Sequence, residues 1–147
     1  MREIVFKGKR LDNGEWIIGN LVVTEDAEEG WEAIIIPTFD SNMFTKGGAK
    51  GDLGFENWNR VDENTICQYT GLTDKNGKKI WENDVVNCPL EECCGKVIWN
   101  ENEALFAFTV LCEDGMFEEE YLYDFENYIE VIGNVFDNPE LLEGGAE

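Results

Sequence analysis

Four cysteines, Cys88, Cys93, Cys94 and Cys112, fall within 25 residues of one another and could supply four thiolates to a metal. Structural zinc sites pair ligands two to four residues apart, and the adjacent Cys93-Cys94 breaks that pairing. With Cys67 the chain holds five cysteines, and the simpler expectation is reduced thiols with no metal. Histidine is absent, so the commonest general base and metal ligand is missing and a cysteine nucleophile has no imidazole partner. Catalysis would have to run on carboxylates, Cys, Lys or Tyr. Neighbouring acids occur at Asp62-Glu63, Glu91-Glu92, Glu113-Asp114 and Glu118-Glu119-Glu120, but 32 acids in 147 residues produce such neighbours by composition alone. A glycosidase-like pair must oppose two carboxylates across a cleft, which spacing in sequence does not reveal. Asp74-Lys75-Asn76-Gly77 opens like a calcium loop and then lacks the remaining ligands, so it reads as a turn. The glycine-rich run 46–54 brings Lys46 and Lys50 near backbone that could cradle phosphate, yet the Gly-Lys-Ser/Thr arrangement is missing and a loop is expected. No catalytic, cofactor-binding or metal-binding residue is assigned, and no cofactor is expected.

Eleven basic residues against 32 acidic ones leave a net charge of -21, which repels phosphate backbones and argues against direct nucleic-acid binding. Trp16, Trp31, Trp58, Trp81 and Trp99 resemble a stacking platform in number only; without a basic groove they suit core packing or a subunit interface. The acidity fits three roles: solubility, a basic protein partner, or mimicry of nucleic-acid charge. Met1-Arg2-Glu3 opens no signal segment, and no apolar run approaches the ~20 residues of a membrane helix. A cytoplasmic location without membrane contact is expected.

The elements that would position these groups are short strands. Alternation and β-branched content predict strands near 4–10, 15–23, 31–36, 85–88, 95–99, 105–111, 116–122 and 128–136. Asn13-Gly14 and Asn76-Gly77 mark turns, the second of two-residue type, and Gly71 a tight bend with Asp84 as its side-chain cap. Gly133 suits a close backbone crossing. Residues 38–58 lose all period and read as a flexible loop. Asn138-Pro139 starts a short helix that Gly144-Gly145 ends. The expected fold is mainly β and short-stranded: an N-terminal β lobe over 1–64 with a flexible glycine-rich loop, and a C-terminal small SH3-like barrel over 65–147 ending in a short helix.

Four segments, 1–8, 68–80, 81–86 and 129–142, resemble the YopX family of phage and prophage proteins in order and spacing across almost the whole chain. Where that family usually shows Tyr-Glu-Gly-Asp, this chain has Trp81-Glu82-Asn83-Asp84; Asn tolerates a left-handed backbone nearly as glycine does, so the turn is expected to survive. The resemblance implies a phage-derived, β-rich, oligomeric protein, with one YopX-like domain overall as an alternative to two lobes. It implies no established enzyme activity and brings no catalytic residues. The leading expectation is a non-enzymatic interaction module in the bacterial host cytoplasm, associating with itself and with a host or phage protein. The alternatives are an acidic nucleic-acid mimic that inhibits a DNA-binding protein, and a carboxylate-based hydrolase.

Overall fold

The computed structural model describes residues 2–26, 30–38, 43–45, 53–89, 93–111 and 115–144. The chain divides into two compact units, residues 3–68 and residues 69–147 together with 1–2.

In the N-terminal unit, β1 (Phe6–Lys9) and β2 (Trp16–Asp26) form the hairpin signalled by Asn13-Gly14. Arg10 N–H donates to the Glu15 carbonyl at 2.9 Å and Gly14 N–H to the Arg10 carbonyl at 2.9 Å, with Gly14 at φ 72°. The loop thus holds four residues, and glycine takes the left-handed position that turns the chain back. β3 (Gly30–Pro37) pairs with β2 in unbroken register from Gly19 opposite Pro37 to Asp26 opposite Gly30. Within the stretch 38–58, read as irregular from sequence, β4 (Met43–Thr45) and β5 (Leu53–Phe55) pair as a small two-stranded sheet. Cross-strand pairing outweighs the missing alternation in strands this short. Residues 46–52 of the glycine-rich run lie outside the described residues. β6 (Asn59–Val61), a 3-10 turn at Glu63–Thr65 and β7 (Cys67–Thr73) follow, and the strand order within this unit runs β6-β3-β2-β1-β7. One face carries the core of Ala33, Ile35 and Val61, with Phe6, Ile17, Leu21 and Ile66 against it. Each fully buried aliphatic side chain of this kind contributes roughly 1.5–3 kcal/mol.

The last residues of β7 belong to the C-terminal unit, where Tyr69 pairs with Trp81 and Thr73 with Lys79 of β8 (Lys79–Trp81). The register shifts between those pairs, and Gly71 sits there at φ 85°. β9 (Asp84–Cys88), β10 (Cys93–Asn100), β11 (Leu105–Leu111), β12 (Phe117–Tyr121) and β13 (Glu130–Asn134) form an antiparallel sheet in the order β12-β11-β10-β9-β13. Two helices are short, α1 (Leu122–Phe125) and α2 (Glu140–Gly144). The core gathers Ile80, Val86, Cys88, Val97, Phe108, Val110, Leu122, Ile129 and Val131.

The molecule is mainly β with a short C-terminal helix, as expected. The SH3-like barrel is not formed: the five-stranded sheet ends at β12 and β13 and stays open. Closure requires the terminal strands to pair with each other, and here Leu122 turns the chain into α1 instead. Leu122 was expected at the end of a strand; fully buried, it anchors the helix to the core.

Candidate functional site

Among the described residues two carboxylates are buried, Asp74 and Asp84, and both serve the backbone. Asp74 Oδ1 accepts hydrogen bonds from the N–H groups of Asn76 and Lys78 at 2.9 Å each, and its Oδ2 accepts from Val131 N–H at 3.0 Å. The turn beneath it is closed by Gly77 N–H donating to the Asp74 carbonyl at 3.0 Å, with Gly77 at φ 81°. Asn76-Gly77 is therefore no two-residue turn: three residues, Lys75 to Gly77, separate the hydrogen-bonded Asp74 and Lys78, and glycine takes the bulge position. Burial pushes the Asp74 carboxyl up, and the N–H groups of Val131, Lys78 and Asn76 together with the Lys78 charge outweigh it, leaving the group below the ordinary carboxylate value.

Asp84 caps its own turn, accepting from Trp81 N–H at 2.8 Å through Oδ2, whereas the sequence placed it over the bend at Gly71. A side chain three residues along reaches that N–H directly, and the Gly71 bend has its own partner in Thr70, whose hydroxyl donates to the Ile80 carbonyl at 2.7 Å. Asn83 holds φ 66°, the left-handed conformation expected of it. Its N–H donates to the Val97 carbonyl and its carbonyl accepts from Val135 N–H, both at 2.9 Å. Gly133 is closely approached, but by side chains rather than by the expected backbone crossing: an added Cβ would meet the Asn138 and Leu141 side chains.

Of the four candidate thiolates, Cys88 and Cys94 do not converge. Cys88 pairs with Cys93 and Asn87 with Cys94 across β9 and β10, so strand alternation puts Cys94 on the opposite face from the buried Cys88. Cys112 lies outside the described residues. Among the described residues no group of three or more Cys, Asp or Glu side chains is placed to hold a metal. Of the neighbouring acids, Asp62-Glu63 opens the 3-10 turn, Glu118-Glu119-Glu120 lies in β12, and Glu91-Glu92 and Glu113-Asp114 fall outside the described residues. The tryptophans are spread over separate settings: Trp81 is buried 5.6 Å from Tyr69, Trp99 meets Phe106 edge-on at 4.8 Å, Trp16 lies under the Lys7 ammonium at 4.6 Å, and Trp58 is exposed.

Two surface features are what remain. The first is β12, whose polarity is inverted. Its Glu118 and Glu120 stand opposite Val110 and Phe108 on the core face of the sheet, while Phe117, Glu119 and Tyr121 point the other way. Inward-facing charge on a terminal strand blunts edge-to-edge aggregation, and the consequence is aromatic side chains on the outside. Phe117 is 70% exposed and Tyr123 55%; Tyr121 stacks on Tyr123 at 5.9 Å. Hydrogen bonding to the Glu103 carboxylate holds the Tyr121 phenol above its usual value. Glu119 accepts from the Asn100 amide at 2.6 Å.

The second feature is a cleft in the N-terminal unit. The β1–β2 loop leans on β6, with Leu11 N–H donating to the Arg60 carbonyl at 3.0 Å, and leaves two adjoining hollows of about 210 and 380 Å³ that share Leu11 and Arg60. Arg60 Nε meets Glu32 Oε1 at 2.8 Å between the edge strand and β3. Asp12 is held bidentately by Arg10, whose Nε and Nη2 lie 2.9 and 2.6 Å from the two oxygens. Neither feature is legible in the sequence. Three consecutive glutamates in Phe-Glu-Glu-Glu-Tyr give no alternation to name a core face, which depends on β11; Leu11 and Arg60 are 49 positions apart, and nothing local links them.

The model of the YopX protein family matches residues 37–143. No curated protein matches the chain. Among solved structures, protein EF1440 from Enterococcus faecalis is similar, with a TM-score of 0.57 and 23% identity over 97% of this chain and 99% of that one, a likeness that speaks to the fold. With more than half of its length matched and the Trp81-Glu82-Asn83-Asp84 turn intact, the chain belongs to the YopX family.

Proposed function

We propose that this YopX-family chain is a non-enzymatic, homo-oligomeric protein-interaction module of phage origin, working in the cytoplasm of a bacterial host and binding a host or phage protein. The observation that supports this reading is the outward aromatic surface of β12 and α1, where Phe117 is 70% and Tyr123 55% exposed. Large rigid aromatics cost little conformational entropy on docking and dominate interface cores. The buried carboxylates, by contrast, are committed to turns, which supports an architectural role for the family motif. Size-separated light scattering is expected to return a multimer, and Phe117→Ser to shift it toward the monomer without lowering the melting temperature. A wild-type monomer at high concentration rejects the oligomer. Failure of an affinity-tagged chain to retain any host or phage protein, with wild type and Phe117→Ser behaving alike, rejects the partner.

A further inference from the structure

We infer that the Leu11–Trp58–Arg60 cleft is a docking site for a lysine- or arginine-bearing, partly apolar segment of a basic protein; this rests on the interaction-module reading and names the chemistry of the partner. Trp58 and Leu11, both large and apolar, are 55% and 61% exposed at a concave surface. A solvated tryptophan face is the preferred aromatic seat for a cation. The hollows that adjoin it are lined by the carboxylates of Asp12, Glu32, Asp62 and Glu63 against the single guanidinium of Arg60. With Arg10 on Asp12 added, the balance is still two negative charges (four carboxylates less two guanidiniums). The site therefore rejects anions and welcomes cations, while Leu11 and the indole give it an apolar component that the rest of an acidic exterior need not have. Part of the lining is held in place: Asp62 Oδ1 accepts from Asn64 N–H at 3.0 Å, and both residues border the smaller hollow.

Any cationic peptide adheres somewhat to a chain of net charge -21, so the test must separate the cleft from the general charge. The blocked pentapeptide Lys-Leu-Lys-Leu-Lys is titrated into isotopically labelled protein at about 0.15 M salt, where surface attraction is screened beyond roughly 8 Å. Its glutamine counterpart serves as control. Shifts are expected at the Trp58 indole N–H and at the Leu11, Glu32 and Arg60 amides. Trp58→Ala leaves the net charge unchanged and, with its fold checked by a thermal melt, is expected to weaken binding about tenfold, the size of a favourable cation–aromatic contact. Glu63→Lys is expected to weaken it as well. Shifts spread over all acidic surfaces with Trp58→Ala binding equally well, or no saturable binding, overturn the site. Shifts confined to β12 overturn the cleft while leaving the module reading standing.

Discussion

Asp74 accepts two hydrogen bonds from its own turn and a third from Val131, 57 positions away. Its carboxyl is held below the ordinary value, so its contribution is fully present above the unfolded value of roughly 3.9 and declines as pH falls through the lower folded one. Asp74→Asn keeps one acceptor and sets an amide N–H against backbone N–H groups; about 2–3 kcal/mol of stability should be lost near neutral pH, and less than that below about pH 3. Urea unfolding of both proteins between those values measures the narrowing gap; an unchanging gap contradicts the assignment. Asn83, at φ 66°, offers a second check. Asn83→Ala should cost about 1–2 kcal/mol, and Asn83→Gly should stay within about 0.5 kcal/mol of wild type, in the same urea experiment. The left-handed backbone was legible in the motif itself because asparagine and glycine are the residues that adopt it. The tie to Val131 was not, because a hydrogen bond to a distant strand leaves no local trace.

At the scale of elements, the strands sit where β-branched residues and Asn-Gly punctuation put them. The hairpin of β1 and β2 follows from Asn13-Gly14, and the turn into β8 from Asn76-Gly77 with its Asp74 brace. What sequence misjudged is the small β4–β5 sheet and the end of β12, both settled by pairing partners rather than by propensity. Gly95 illustrates such a constraint. In β10 it pairs with Val86 of β9, and an added Cβ would run into the Thr109 carbonyl of β11. Gly95→Ala should therefore cost more than about 3 kcal/mol or prevent folding, whereas Gly14→Ala, with no neighbour to strike, should cost only the left-handed penalty of about 1–2 kcal/mol. Circular dichroism melts of the two variants distinguish steric collision from backbone strain.

For the whole molecule, a net charge of -21 opposes compaction through self-repulsion. Raising sodium chloride from about 0.01 to about 0.5 M shortens the screening length from roughly 30 Å to under 10 Å, and the melting temperature should rise by several degrees. A flat response in scanning calorimetry would contradict the self-repulsion, because 11 basic residues can neutralise at most 11 of the 32 acids in pairs. By itself the sequence determined the mainly β character, the positions of the turns, the excess of negative charge and the family. Those properties depend on residue type and on neighbours a few positions away. Only the tertiary structure decided that the five-stranded sheet stays open, that β12 turns its aromatics outward, and that Leu11, Glu32, Trp58 and Arg60 share one cleft. Strand order and facing are set by which distant segments bury each other's apolar surface, and that competition is resolved only when the whole chain packs.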